Sequence, residues 1–154
     1  MTTAADTRTF RILLVEDSPA QQALTRRALE DSRVDAELFV VDDGVSALQY
    51  LRNQGEFADA TAHPRPDIIL LDLNMPRMGG HAVLEELKKD PALATIPVTV
   101  LTTSNADSDV TASYARGANA FVTKPAEYDK FVMLLAALGQ FWAHFVRTAP
   151  PPTA

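Results

Sequence analysis

The residues best placed to do chemistry are carboxylates that follow apolar runs. Glu16 and Asp17 come directly after Phe10-Arg11-Ile12-Leu13-Leu14-Val15, and Asp72 comes directly after Asp67-Ile68-Ile69-Leu70-Leu71. Two further runs lead to a hydroxyl and an ammonium: Thr102 follows Pro97 to Leu101, and Lys124 follows Asn119 to Thr123. If these ends meet, three carboxylates share one crevice, and unit charges about 4 Å apart repel by roughly 4 kcal/mol at an effective dielectric near 20. A cation relieves that repulsion, and an all-oxygen set with open positions suits Mg2+ or Mn2+. Thr102 and Lys124 then offer a donor and a positive charge to the peripheral oxygens of a transferred phosphoryl group. Asp72 is the best candidate nucleophile, giving an acyl phosphate, because Glu16 and Asp17 are free to hold the metal. The plainer alternative makes each acid a cap, Lys124 a surface lysine and Thr102 an ordinary strand end; it is their joint placement that argues for chemistry.

Convergence depends on the elements between these positions. Apolar runs at 10–15, 37–41, 67–71, 97–101 and 119–123 have the length and residue types of strands. Helical segments separate them. Ser18-Pro19 supplies a cap and a first-turn proline for a helix reaching Asp31. Gly44 opens a second helix to about Gln54, and Gly80 to Lys89 forms a third, stopped at Asp90-Pro91. A fourth near 106–116 ends at Gly117, and a fifth runs from Glu127 to about Val146. Strands alternating with helices predict an α/β fold: a doubly wound five-stranded parallel sheet of flavodoxin-like order 2-1-3-4-5, with helices on both faces. Ligands in such a sheet bind outside the carboxyl ends of the strands where the order reverses, between the first and third. Those ends are where Glu16-Asp17 and Asp72 stand.

Composition narrows the function classes. The 154 residues suit one domain: 1–9 as a flexible start, 10–147 as the folded unit and 148–154 as a disordered, proline-rich tail. Net charge is −6 with no Lys/Arg cluster, which argues against direct nucleic-acid binding. No apolar run approaches a membrane span and no signal-peptide core is present, so a cytoplasmic protein is expected. There are no cysteines, and no GxxxxGK[ST] or GxGxxG loop offers a nucleotide site, so the phosphoryl donor must come from elsewhere. A flavin or nucleotide module is disfavoured on the same ground. His63, His81 and His144 are scattered and read as surface residues.

Four motifs in order resemble the receiver domains of two-component response regulators over about residues 10–146. They are Leu14-Val15-Glu16-Asp17-Ser18, Leu70-Leu71-Asp72-Leu73-Asn74-Met75-Pro76, Leu101-Thr102-Thr103-Ser104 and Phe121-Val122-Thr123-Lys124-Pro125. The resemblance implies a phosphorelay protein rather than an enzyme, with Asp72 taking its phosphoryl group from a sensor histidine kinase. It implies Mg2+ held by Asp17, Asp72 and the Asn74 backbone carbonyl, with Glu16 acting through water. It assigns Thr102 and Lys124 to the phosphoryl oxygens and Phe121 to the aromatic switch partner of Thr102, so that the face of the fourth helix, fifth strand and fifth helix changes shape. A cis bond before Pro125 is a family feature that an X-Pro sequence permits. Lys124 is also expected to pair with Asp72 before phosphorylation. Thr103, β-branched beside the site, is expected to slow self-dephosphorylation.

A narrower similarity is to single-domain regulators that partner phytochrome-type histidine kinases. It rests on the long loop before the third strand, on 96–104, and on Phe141-Trp142. The last helix carries Phe131, Leu134, Leu135, Leu138, Trp142 and Phe145 on one stripe, with Val132, Met133 and Phe141 beyond it, which predicts a homodimer through that helix. The rival enzyme reading is a haloacid-dehalogenase-like phosphatase, which Asp72-Leu73-Asn74 imitates poorly. Residues after 146 are too few for an effector domain, so output is expected through contacts, relay or a phosphate-sink role.

Overall fold

Alternate side chains of the strands feed two separate cores, and this alternation holds the sheet between two layers of helix. The computed structural model describes residues 9–152. Within it β1 (Phe10–Val15), β2 (Ala36–Val41), β3 (Ile68–Leu71), β4 (Val98–Thr102) and β5 (Ala120–Thr123) form one parallel sheet of order β2-β1-β3-β4-β5. The helices are α1 (Pro19–Asp31), α2 (Gly44–Leu51), α3 (Gly80–Lys89), α4 (Asp107–Ala115) and α5 (Tyr128–Gln140). The predicted doubly wound flavodoxin-like fold is therefore the observed one. Leu13, Val15, Ile69, Leu71, Val98 and Val100 pack with Leu48 of α2 and with Val83, Leu84 and Leu87 of α3. Ile12, Leu14, Ile68, Leu70 and Leu101 pack with Ala28 and Leu29 of α1 and with Phe131 and Leu135 of α5. All four residues of β3 are buried, as a central strand covered on both faces requires.

Local chemistry ends these elements where the site needs them. Ser18 caps α1 through Gln21 N–H, and Asp43 caps α2 through Ser46 N–H at 2.7 Å. Gly80 opens α3 directly against the end of β3. A Cβ there meets the Asp72 carbonyl oxygen at 2.6 Å and Leu73 Cα at 2.8 Å, so only glycine lets helix and strand approach this closely.

Four expectations need correction. The last helix does not run regularly to Val146: α5 ends at Gln140 and widens into a π-helical turn, Phe141–Phe145. No peptide bond among the described residues is cis, so Lys124–Pro125 is trans. Two histidines are not plain surface residues. His63 lies edge-on to Tyr50 and Phe57, with ring centroids 5.6 and 5.2 Å away. His81 Nε2 lies 3.2 Å from Ser113 Oγ. Tyr50 also donates to the Pro64 carbonyl, and burial pushes its phenol up to about 12. That aromatic group fastens the long 55–66 loop. The flexible start expected over 1–9 lies, except for Thr9, outside the described residues, as do 153–154 of the tail.

Gly80→Ala forces the close Asp72 contact apart and should lower stability by about 1–3 kcal/mol, the usual range for overpacking. Urea unfolding against wild type checks it; an unchanged midpoint would show that the helix start can shift freely.

Candidate functional site

The site is built from the carboxyl ends of β1, β3, β4 and the end of β5. Register carries the first pair together: Val15 pairs with Leu71, and Asp72 N–H donates to the Val15 carbonyl at 3.1 Å. One carboxylate oxygen from each of Glu16, Asp17 and Asp72 lies within 4.8 Å of the others. Glu16 and Asp72 are buried and Asp17 is more open. The three predicted acids thus converge as the topology requires. Their set is all oxygen, clustered tightly enough to need a counter-charge, and open to solvent on the Asp17 side. It fits a hard divalent cation such as Mg2+ or Mn2+.

Thr102 is fully buried at the end of β4, and Ser104 N–H points to its Oγ1 at 3.4 Å. Lys124 follows β5, and its N–H donates to the Thr102 carbonyl at 2.7 Å, binding the two strand ends. Its ammonium does not pair with Asp72 as expected. It donates to Glu16 Oε1 at 2.7 Å, both side chains being buried, and lies 3.5 Å from Gln21 Oε1. The reason is local: Glu16 is the most deeply buried acid, only 2% exposed, and a carboxylate there requires a charge partner. Ser18 N–H donates to its other oxygen at 3.2 Å. Asp72 keeps a weaker contact, accepting from Asn74 N–H at 3.4 Å. Neither Lys124 nor a cap engages its carboxylate.

Phe121 is half-buried against the α2–α3 side of the core, and its N–H donates to the Tyr114 hydroxyl of α4 at 3.1 Å. Thr103 is exposed beside the site. Two residues that sequence reasoning missed also belong here. Arg77, in the loop after Asp72, is ion-paired with Asp43, the cap of α2. The backbone Ser46 N–H holds the Asp43 carboxyl below the usual carboxylate range, with Arg77 adding to the effect against the cost of burial. An Asp immediately before a helix is a readable cap signal, so half of this pair was accessible. Nothing in the sequence pointed Arg77 at it.

A buried strand-end carboxylate beside two others, a strand-end threonine and a lysine thus stand together at the carboxyl edge of a doubly wound sheet. Residues 12–136 match the response regulator receiver domain, and the chain belongs to that family. It is 42% identical over 135 residues to the response regulator Rcp1 of Synechocystis sp., covering 88% of this chain and 90% of that protein. Among solved structures it is similar to the phosphorylated cyanobacterial phytochrome response regulator RcpA. That likeness has a TM-score of 0.84 and 40% identity, covering 93% of this chain and all of that one. It is also similar to the Mn2+-bound form of Rcp1, with a TM-score of 0.80, 40% identity, and coverage of 92% and 99%. The phosphatase alternative finds no support in these matches.

Three clustered carboxylates with one paired lysine leave uncompensated repulsion. Asp72→Asn should therefore raise stability in EDTA by about 1 kcal/mol or more. Denaturant melts with and without EDTA check it; a destabilised variant in EDTA would mean that the cluster is already neutralised within the protein.

Proposed function

We propose that this chain is a phosphoacceptor switch of a two-component phosphorelay, acting in the cytoplasm, with a sensor histidine kinase of bacteriophytochrome type as its donor. The observation that carries the reading is the geometry around Asp72: a buried nucleophilic carboxylate without a charged side-chain partner, between acids that fit a divalent cation and two strand ends that offer a hydroxyl and an ammonium. The resemblance to phytochrome response regulators supports the choice of donor.

In this reading an Asp72 carboxylate oxygen attacks the phosphorus of a phosphohistidine. The P–O bond forms as the P–N bond breaks, and the imidazole leaves with a proton. Asp17, Asp72 and the Asn74 carbonyl would hold Mg2+, with Glu16 outside them; the ion supplies charge neutralisation on the transferring group. Lys124 exchanges part of its contact with Glu16 for a phosphoryl oxygen. Thr102 supplies its hydroxyl to another. The added group carries about −1.5 to −2 charges, enough to draw Thr102 outward and let Phe121 take the vacated space. The face of α4, β5 and α5 then changes. Turnover is limited to slow self-dephosphorylation, with Thr103 standing where water must approach. Net charge of −6 makes protein contacts, rather than nucleic acid, the fitting output.

The second copy of the chain is the partner that α5 fits. Its outer side exposes Met133, and the turn that follows exposes Phe141 and Phe145, the last 79% exposed. Large apolar groups left this open along the helix and the turn after it mark an association surface.

Acetyl phosphate with Mg2+ should add one phosphoryl mass to wild type and none to Asp72→Asn, with EDTA abolishing the adduct; intact-mass spectra on acid-quenched samples read it, and a time series gives the lifetime. An adduct that survives in the Asn variant would move the acceptor away from Asp72. For the dimer, sedimentation over a concentration series should show wild type associating and Phe141→Ser/Phe145→Ser remaining monomeric. A monomeric wild type at every concentration would remove the dimer.

A further inference from the structure

The loop between Asp72 and α3 holds its shape against the preference of its own backbone. Arg77 stands at φ +64°, a left-handed conformation that is unfavourable for any residue with a Cβ. Glycine occupies 79 and 80 but not 77. The Arg77 side chain reaches α2 and donates to the Asp43 carboxylate. Among the described residues, no other side chain of 74–77 makes a hydrogen bond or ion pair with another element. Farther along, the loop is fixed by packing: Met78 stands against Gly44, where a Cβ would meet its carbonyl oxygen at 2.8 Å. Gly80 N–H then returns to the Leu73 carbonyl at 3.1 Å.

Inside this arc lies Asn74, whose N–H contacts Asp72 Oδ1 at 3.4 Å and whose carbonyl belongs to the proposed metal set. The contact is long, so the loop's position decides whether Asn74 steers the Asp72 carboxylate at all. Asp43 does not need Arg77 to stay in place. It accepts from Ser46 N–H at 2.7 Å and is only 7% exposed. Arg77 itself is largely exposed, so the pair is screened and contributes little to overall stability. Its effect is confined to the loop that it crosses.

We infer that Arg77, anchored on Asp43, is a positioning residue for the divalent-cation site: the pair holds the 73–79 loop so that Asn74 and the Asp72 carboxylate present their oxygens together. The inference rests on the proposed phosphoacceptor reading and deepens it. Outer residues that orient metal ligands alter affinity without touching the ion.

The test titrates Mn2+ alone, without a phosphodonor, into the full chain by calorimetry. Arg77→Gly removes the side chain and relieves the left-handed strain, and Asp43→Ser keeps a helix cap but cannot reach Arg77. Each should weaken Mn2+ binding by about tenfold, the scale of outer-shell substitutions, while Arg77→Lys stays within about threefold of wild type. The double variant should be no weaker than either single one, because both remove the same interaction. In acetyl phosphate labelling the half-saturating Mg2+ concentration should rise by the same factor, with the rate at saturating Mg2+ little changed. Wild-type Mn2+ affinity in a folded Arg77→Gly or Asp43→Ser protein overturns the inference, as does an additive loss in the double variant. A wild type that binds no Mn2+ sinks the phosphoacceptor reading itself, which separates the two failures.

Discussion

Like charges forced together at the carboxyl edge of the sheet are the constraint on which the rest of this structure depends. Glu16, Asp17 and Asp72 crowd within a few ångströms because β1 and β3 are neighbours in register, which places their backbones together. One buried cation, the Lys124 ammonium, is spent on Glu16. That leaves Asp17 and Asp72 in mutual repulsion beside solvent. The arrangement costs the free protein stability, and on the proposed function it favours a metal ion first, whose charge together with Lys124 would then attract the negative phosphoryl group. On that reading the affinity comes from carboxylates crowded without enough counter-charge.

Much of this was legible in the sequence, and the legible part follows one rule. In a doubly wound sheet, strand ends define the crevice, so reading where apolar runs stop located Glu16, Asp17, Asp72, Thr102 and Lys124 at once. The strand order followed from the same alternation. What stayed hidden depends on distances that run lengths do not encode. Lys124 lies at the end of an edge strand and could reach either of two acids; burial of Glu16 decided between them. The π-helical turn after Gln140 interrupts a hydrophobic stripe that reads as continuous helix, because residues 141–145 stay apolar at every position but His144 while the hydrogen-bond ladder widens. Arg77 was hidden for a different reason. Its partner is fixed by a left-handed backbone angle, and no sequence pattern marks a non-glycine residue at such an angle.

The same division between apolar and polar fastening explains which parts of the molecule can move. β1 and β3 are buried on both faces, and α1, α3 and α5 contribute leucine, valine or phenylalanine to a core. α4 contributes only Ser113 as a buried residue. It is held by polar contacts: Ser113 Oγ meets His81 of α3, Ser104 Oγ donates to Asp109, and Arg116 at its end pairs with Glu85. Such contacts can be exchanged for water at small net cost, whereas apolar burial cannot. A helix fastened this way belongs to the low-stability end of its domain.

That helix also carries Tyr114, whose hydroxyl accepts the outward N–H of Phe121 on the edge strand β5. An unpaired edge N–H is thereby satisfied by a group on the least firmly packed element. Thr102 lies one strand inward, and its backbone carbonyl receives the Lys124 N–H. On the proposed function, a pull on Thr102 from the phosphoryl site would pass to β5 and, through the phenol, to α4. In that reading the apolar-packed half of the molecule fixes the charges, and the half fastened by polar contacts would take up the displacement.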